Sequence, residues 1–279
     1  MYTTLISAQQ LAALGSGCVI VDCRHDLANL AAGREGYAIG HLPQAVFADL
    51  EQELSGAKRG ADGQFRGRHP LPGRAALLET LRGWGIGDAT QVVAYDAHGG
   101  MFAARLWWLL RWLGHPAVAV LDGGMAAWQG AGQPLTTLAP KPQRGALSDR
   151  APLASTVTAA EVQDNLASAA RTVIDARAPD RFRGENETMD PVGGHIPGAK
   201  NRFFKDNLAP DGRFKDAAAL KAAFAPLFDD AHAVIMQCGS GVTACHNLLA
   251  LEIAGMPGAA LYPGSWSEWC ADPARPVAT

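Results

Sequence analysis

Short apolar runs alternate with amphipathic segments along the whole chain. The runs at 19–21, 92–94, 172–174 and 233–236 are rich in β-branched and aliphatic residues, which is typical of buried parallel strands. An apolar-periodic helix is predicted from about Val242 to Ala254, ending at Gly255. This alternation predicts an α/β fold in which helices cover both faces of parallel sheets.

The pattern occurs twice. Four landmarks recur in the same order: 19–24 with 172–177, 40–43 with 194–197, 92–96 with 234–238, and 120–124 with 261–265. The stretch between the two copies is polar, contains prolines and has no periodicity, as expected of a linker. We therefore predict two copies of one domain, at 1–136 and 153–279, joined by a linker at 137–152.

Some polar residues are present in both copies. Asp22 with Arg24 recurs as Asp175 with Arg177, and a histidine recurs before the proline of the second landmark. A feature that two unequal copies share is expected to stabilise the fold. We predict buried Asp–Arg pairs and turn-stabilising histidines.

The most distinctive chemistry follows the strand at 233–236. Cys238 comes directly after it, and Gly239, Ser240 and Gly241 connect it to the predicted helix. A tight loop and a helix N-terminus aim backbone N–H groups and a positive dipole end at one point, which favours an anion there. The sulfur of Cys238 is thus expected to act as a thiolate nucleophile. The alternative is an inert buried cysteine, which would not require a Gly-Ser-Gly loop.

Composition narrows the choice of function. A hydrophobic content of 48% and a charged content of 18% indicate a globular protein with a substantial core. The net charge of −3 offers no basic footprint for nucleic acid or an anionic membrane. Five cysteines without a Cys-x-x-Cys pair suggest neither a disulfide framework nor a zinc site. No apolar run resembles a secretion signal or a membrane span, so we expect a cytoplasmic protein.

The segment Cys-Gly-Ser-Gly-Val-Thr-Ala at 238–244 resembles the active-site loop of the two-domain rhodanese and 3-mercaptopyruvate sulfurtransferase family. The resemblance extends over nearly the whole chain and implies two tandem rhodanese-like domains. It also implies sulfur transfer through a Cys238 persulfide, with Gly239, Gly241, Val242 and Thr243 around the donor. The implied partners are a small sulfur donor and an acceptor, either a thiol such as thioredoxin or cyanide. No metal or organic cofactor is implied.

The loop sequence resembles the mercaptopyruvate branch, because the thiosulfate branch has Arg and Lys where this chain has Gly239 and Ser240. Thiosulfate is a dianion and benefits from cations, whereas mercaptopyruvate carries one carboxylate. We expect Arg181 to bind that carboxylate, since it ends a segment similar to the family's substrate-facing stretch. The branch's second arginine is missing from 187–191, and Arg183 or Arg202 is a possible replacement.

Three further residues are expected in the site from the resemblance. His69 lies in an Arg-His-Pro-Leu-Pro stretch similar to the one that supplies the family's cleft histidine. Asp49 and Glu51 resemble the family's acidic position. Together with Ser240 they would form a serine–histidine–carboxylate proton relay.

The first copy has Asp96 in place of the cysteine. A carboxylate is not a soft nucleophile, and we expect it to be disfavoured in a cradle built for anions. The first copy is therefore predicted to be catalytically inactive.

Three alternatives to the mercaptopyruvate enzyme follow from the sequence. These alternatives are a thiosulfate:cyanide sulfurtransferase, a non-catalytic sulfur carrier, and a phosphatase of the related Cys-x5-Arg type. The sequence supports the phosphatase alternative least of the three, because position 244 is alanine and the loop is one residue too short to surround a phosphate.

Overall fold

A computed structural model describes the whole chain, Met1 to Thr279. It divides into two compact units, the first made of residues 1–55, 72–153 and 210–214, and the second of 56–71, 154–209 and 215–279. These units are made of interleaved segments of the chain. The division into domains at 1–136 and 153–279 with a linker at 137–152 therefore stays a prediction. No helix is long and apolar enough to cross a bilayer.

The first unit is built on a five-stranded parallel sheet with strand order β1-β5-β4-β2-β3. Its elements are β1 (Leu5–Ile6), α1 (Ala8–Leu14), β2 (Cys18–Asp22), α2 (Ala32–Ile39), β3 (Val46–Phe47), α3 (Arg74–Gly83), β4 (Gln91–Tyr95), α4 (Ala103–Trp112), β5 (Val118–Leu121) and α5 (Gly124–Gly130). The Trp-rich helix α4 is a packing element, since Trp107 and Trp108 are fully buried.

The second unit repeats this plan with a four-stranded parallel sheet of order β7-β6-β8-β9. Its elements are α6 (Ala159–Ser168), β6 (Thr172–Asp175), α7 (Pro179–Phe182), β7 (Lys200–Asn201), a 3₁₀ turn (Phe204–Asn207), α8 (Ala217–Phe224), a second 3₁₀ turn (Ala231–Ala233), β8 (Val234–Gln237), α9 (Thr243–Ile253), β9 (Ala260–Leu261) and α10 (Ser265–Trp269). The predicted α/β fold with two parallel sheets is confirmed.

The apolar runs of the sequence form the central strands, as the pattern predicts. Every residue of β8 is buried, and so are Val92–Tyr95 of β4. A strand that is buried on both faces has no need of polar alternation, which explains the continuous hydrophobic runs. The carboxyl ends of β4 and β8 thus open onto loops that lead directly into α4 and α9.

The polar features shared by the two copies hold the loops at the strand ends. The Arg24 and Arg177 guanidinium groups each pair with the aspartate two residues earlier, both at 2.7 Å. Each guanidinium also donates to the carbonyl of a glycine, Gly40 at 2.8 Å or Gly194 at 2.7 Å. The predicted buried Asp–Arg pairs are confirmed, and they fasten each strand end to the following turn.

The two repeated histidines also have equivalent contacts. The Nδ1 atoms of His41 and His195 lie 2.8 Å from the carbonyl oxygens of Tyr37 and Phe182, respectively. Each imidazole stacks on the ring of that same residue, with ring centroids 3.8 Å apart. These histidines therefore stabilise their turns, as predicted.

Candidate active site

Cys238 lies immediately after β8 and its backbone is fixed by α10. Its N–H donates to Ser265 Oγ at 3.1 Å, and its carbonyl accepts from the Trp266 N–H at 2.9 Å. The next carbonyl, that of Gly239, accepts from the Ser267 N–H at 2.9 Å. Cys238 is 2% exposed, so its side chain is almost entirely shielded from solvent.

The loop from Cys238 to α9 is short and leaves the helix N-terminus uncapped. Gly241 has a φ of +75°, and a Cβ there would overlap the carbonyl oxygen of Pro263, so this position requires glycine. α9 has eleven residues, and no side chain caps it at Val242. The first N–H groups of a helix have no acceptor within the helix, so an anion at the loop would satisfy them. Gly239, Gly241, Val242 and Thr243 all belong to this loop or to the start of α9, and their contact with a donor stays a prediction.

The equivalent loop of the first unit corrects one expectation. The Asp96 carboxylate accepts four backbone N–H groups, those of His98, Gly100, Phe102 and Ala103, at 2.8–3.0 Å. The prediction that a carboxylate is disfavoured there is wrong, because the N–H groups repay its desolvation. In the position where the second copy has a sulfur, the first copy thus has a side chain whose oxygens already accept the N–H groups of the loop.

Two members of the predicted relay are in contact. His69 Nδ1 lies 2.7 Å from Ser240 Oγ, and both residues belong to the second unit. Both are buried, at 3% and 7% exposure. Asp49 and Glu51 lie in the first unit, where Asp49 Oδ1 accepts the N–H groups of Glu51 at 3.0 Å and Gln52 at 3.1 Å. The carboxylate of the relay stays a prediction.

Arg181 lies beside the loop. Its two Nη atoms are 3.7 and 3.8 Å from the point that a Cβ on Gly239 would occupy. Glu187 holds the guanidinium, with Oε1 2.7 Å from Nη2. Burial alone would raise the pKa of Glu187, but the hydrogen bonds from Arg181 and from two backbone N–H groups lower it overall. Glu187 is therefore a charged partner that orients Arg181.

Arg177 forms a second cation close to the thiol. It is 1% exposed, pairs with Asp175, lies 3.4 Å from Glu187, and its guanidinium covers the Trp266 ring at 4.7 Å. Burial lowers the pKa of Arg177, but the charge and hydrogen bonds of Asp175 and the charge of Glu187 raise it overall. This arginine has a structural role and adds positive potential near the sulfur.

Neither of the two predicted replacement arginines contacts the loop. Arg183 is exposed and pairs with Glu185 at 2.7 Å. Arg202 pairs with Asp206 at 3.2 Å, donates to Asn207 at 3.0 Å and covers the Phe224 ring. Both side chains instead contact residues outside the Cys238 loop.

Sequence reasoning missed a different arginine. Arg68 Nη2 lies 2.8 Å from the Cβ position of Gly239, and its Nη1 forms an ion pair with Asp190. The signal that could have found it was its position directly before His69, which the sequence places near the loop.

Comparisons with known proteins agree with this geometry. A model of the rhodanese-like domain matches residues 7–131 and 158–272. A Pseudomonas aeruginosa protein named "Probable 3-mercaptopyruvate sulfurtransferase" is 47% identical, over 99% of this chain and 98% of its own. SseB of Mycobacterium tuberculosis, which bears the name of a thiosulfate sulfurtransferase, is 41% identical, over 98% of this chain and 96% of its own.

The crystal structure of SseA from Escherichia coli, a 3-mercaptopyruvate sulfotransferase, superimposes with a TM-score of 0.81 at 31% identity. It covers 95% of this chain and 100% of that one. The two parallel sheets, the cysteine loop after β8 and the two matched segments lead to one conclusion: the chain belongs to the rhodanese-like family, with two rhodanese-like domains, and is a sulfurtransferase.

Proposed function

We propose that the protein transfers the sulfur of 3-mercaptopyruvate to Cys238 and from there to a thiol or cyanide. The observation that carries this proposal is the uncapped loop around Cys238, in which Gly239 and Ser240 add no cation and Ser240 contacts His69. A monoanionic donor whose leaving group needs a proton fits these features better than a dianionic donor does.

The first half-reaction loads the cysteine. The Cys238 thiolate attacks the mercapto sulfur, the carbon–sulfur bond breaks, and its electron pair leaves on carbon as the enolate of pyruvate. The mercapto proton passes to the enolate carbon through Ser240 and His69, so pyruvate departs and Cys238 keeps a persulfide anion. The backbone N–H groups of the loop stabilise the negative sulfur throughout.

The second half-reaction transfers the outer sulfur of the Cys238 persulfide to the acceptor. A thiolate or cyanide attacks the outer sulfur, and the electron pair of the sulfur–sulfur bond returns to Cys238. No metal or organic cofactor takes part in either step.

We propose a thiol such as thioredoxin as the physiological acceptor and the cytoplasm as the location, which is consistent with five free cysteines in a chain without disulfides. We also propose that Asp49 or Glu51 completes the relay.

The first domain is proposed to be inactive in sulfur transfer. Asp96 occupies the position of the nucleophile, and its carboxylate already accepts the N–H groups of the loop. No site remains there for a second anion.

Thiosulfate is the second candidate donor, because Arg68 and Arg181 bring two positive charges to Gly239. The test is a comparison of kcat/KM for the two donors, with cyanide as acceptor in both assays. A higher value for mercaptopyruvate is expected. A higher value for thiosulfate would replace the proposed donor, and turnover of neither donor would favour a non-catalytic sulfur carrier.

A further inference from the structure

A cavity of about 380 Å³ lies within the second unit and takes no part in the proposed sulfur transfer. Its walls are formed by parts of the segments 66–71, 156–160 and 262–275. Small-molecule sites in proteins span about 300–1,000 Å³, so this volume fits a small organic molecule. The polar groups in the walls indicate what kind of molecule that is.

The first such group is the hydroxyl of Tyr262. This residue lines the cavity and is fully buried, yet its hydroxyl has no hydrogen-bond partner in the protein. Buried polar groups are nearly always hydrogen-bonded. Burial, and to a smaller extent the negative charge of Glu268, raises the pKa of Tyr262, so the phenol keeps its proton. Its oxygen can therefore accept a hydrogen bond while the proton donates another.

The second group is the carboxylate of Glu268. The residue is 8% exposed, and Arg66 Nη1 lies 3.9 Å from its Oε1, which is too far for a hydrogen bond. The carboxylate lies over Gly264, where a Cβ would overlap Oε2. A buried carboxylate is stabilised by a cation that donates hydrogen bonds to it, and an ammonium group has three donors. An ammonium ligand would satisfy Glu268 and the Tyr262 oxygen together.

Positive charge lies next to this carboxylate. Arg66 and Arg275 line the same cavity, and Arg275 Nη1 donates to the carbonyl of Glu268 at 2.8 Å. The Arg66 side chain is 46% exposed, so a ligand can reach its guanidinium from solvent. A buried negative group and an accessible positive group thus lie 3.9 Å apart. An α-amino acid carries its ammonium and carboxylate groups on one carbon, and therefore matches two opposite charges at this spacing.

The start of α6 does not offer a competing anion site. Thr158 Oγ1 accepts the Glu161 N–H at 3.2 Å, and Glu161 Oε2 accepts the Thr158 N–H at 2.7 Å. The helix N-terminus is therefore capped by its own residues, including a carboxylate. The other walls include Pro70, Leu71 and Val157, which are apolar. They favour an aliphatic side chain on the ligand.

We propose that this cavity binds a small aliphatic α-amino acid, with its ammonium group on Glu268 and the Tyr262 hydroxyl and its carboxylate on Arg66. The aliphatic side chain packs against the apolar wall. This ligand is neither a sulfur donor nor a sulfur acceptor, so the site is additional to the proposed reaction.

The cavity shares a wall with the support of the Cys238 loop. Between Tyr262 and Glu268, Ser265 Oγ accepts the Cys238 N–H, and the Trp266 N–H donates to the Cys238 carbonyl. Cys238 is almost completely shielded, so a reagent reaches its sulfur when these contacts open. A ligand that binds the closed form alone reduces opening by a factor of 1 + [L]/Kd. The bound amino acid thus stabilises the closed loop.

The test of binding is a calorimetric titration with L-leucine. Two analogues are the controls: 4-methylpentanoate lacks the ammonium group and 3-methylbutylamine lacks the carboxylate. Leucine should bind at least about tenfold more tightly than either analogue, since each has lost hydrogen bonds to a charged group. Equal affinity for all three compounds, or no binding of leucine, overturns the proposal.

Tyr262→Phe locates the site, with Tyr37→Phe as the matched control. Tyr262→Phe should weaken leucine binding by about ten- to a hundredfold and leave the thermal midpoint unchanged, because the hydroxyl has no partner in the protein. Tyr37→Phe loses a 2.7 Å hydrogen bond to the Ala45 carbonyl, so it should lower the midpoint and leave leucine affinity unchanged. Wild-type leucine affinity in Tyr262→Phe overturns the proposal. If that variant fails to fold, Glu268→Gln replaces it, with the same expected loss and the same refuting result.

The effect on the loop is measured by the rate at which iodoacetamide alkylates Cys238. Leucine at ten times its Kd should slow alkylation by up to about tenfold in the wild-type protein. The same concentration should have little effect in Tyr262→Phe. An unchanged rate in the wild-type protein would overturn the stabilisation of the loop. None of these measurements uses a sulfur donor, so their outcome is independent of the proposed function.

Discussion

Replacement of Gly239 by arginine would add a third positive charge to the loop beside Arg68 and Arg181. A Cβ at this position lies 2.8 Å from Arg68 Nη2, so the Arg68 side chain must move. Although Nη2 ends a flexible chain, Nη1 of the same group is tied to the buried Asp190. The substitution therefore opposes both the packing and the ion pair, even though arginine is the thiosulfate branch's own residue here.

The geometry sets limits on the electrostatic contribution to the change in stability caused by Gly239→Arg. Two unit charges 4 Å apart interact by about 1 kcal/mol in water and about 4 kcal/mol at an effective dielectric constant of 20. Arg68 and Arg181 are 19% and 21% exposed, which places them between these limits. We expect charge repulsion to make Gly239→Arg about 1–4 kcal/mol more destabilising in the wild-type background than in an Arg68→Ser background.

The assay is thermal and urea unfolding of wild type, the two single variants and the double variant, which together form a double-mutant cycle. Gly239→Gln is the control, since it adds comparable bulk without charge. Equal losses in Gly239→Arg and Gly239→Gln, together with the same loss for Gly239→Arg in the presence and absence of Arg68→Ser, would refute the proposed arrangement of charges.

Three further predictions concern Ser240, Asp96 and Glu187. Ser240→Ala removes the 2.7 Å contact to His69 and should lower kcat with mercaptopyruvate far more than with thiosulfate, because departing sulfite needs no proton; equal losses with both donors would exclude a proton relay. Asp96→Ala should lower the free energy of unfolding by at least roughly 1.5–3 kcal/mol, the value of one lost charge-assisted hydrogen bond, and leave persulfide formation on Cys238 intact; loss of persulfide in a folded variant would give the first unit a catalytic role. Glu187 has a lowered pKa in the folded protein, so its stabilisation is present above the ordinary glutamate pKa of about 4.5 and is lost as the pH falls through the folded value. The difference in thermal midpoint between wild type and Glu187→Gln should therefore be largest near pH 7 and shrink below about pH 4.5; a constant difference would show that Glu187 acts without its charge.

The features that repeat or follow a short local pattern could be predicted from the sequence. The apolar runs predicted β4 and β8 because a strand buried on both faces shows its burial directly in its composition. The cysteine loop could be recognised because strand, glycine loop and helix follow each other within a few residues. Arg181, which lies beside this loop, could be singled out because it belongs to a segment with a recognisable sequence.

Features that depend on tertiary contacts could not be predicted. Arg68 and Asp190 are 122 positions apart, and nothing in either local sequence indicates that they pair. Arg183 and Arg202 were reasonable candidates by sequence distance, but their neighbours hold them elsewhere. For Asp96, the sequence shows the charge of the residue but not the backbone N–H groups that the fold aims at it, and those groups make a carboxylate favourable there.

The central claim, that Cys238 alone carries the sulfur, is tested most directly by intact-mass measurement after treatment with mercaptopyruvate. We expect the addition of one sulfur atom, mapped to Cys238 by peptide analysis and removed by cyanide with formation of thiocyanate. We also expect that Cys238→Ser takes up no sulfur and has no turnover. Sulfur on any of the other four cysteines instead, or sustained turnover by Cys238→Ser, would contradict the claim.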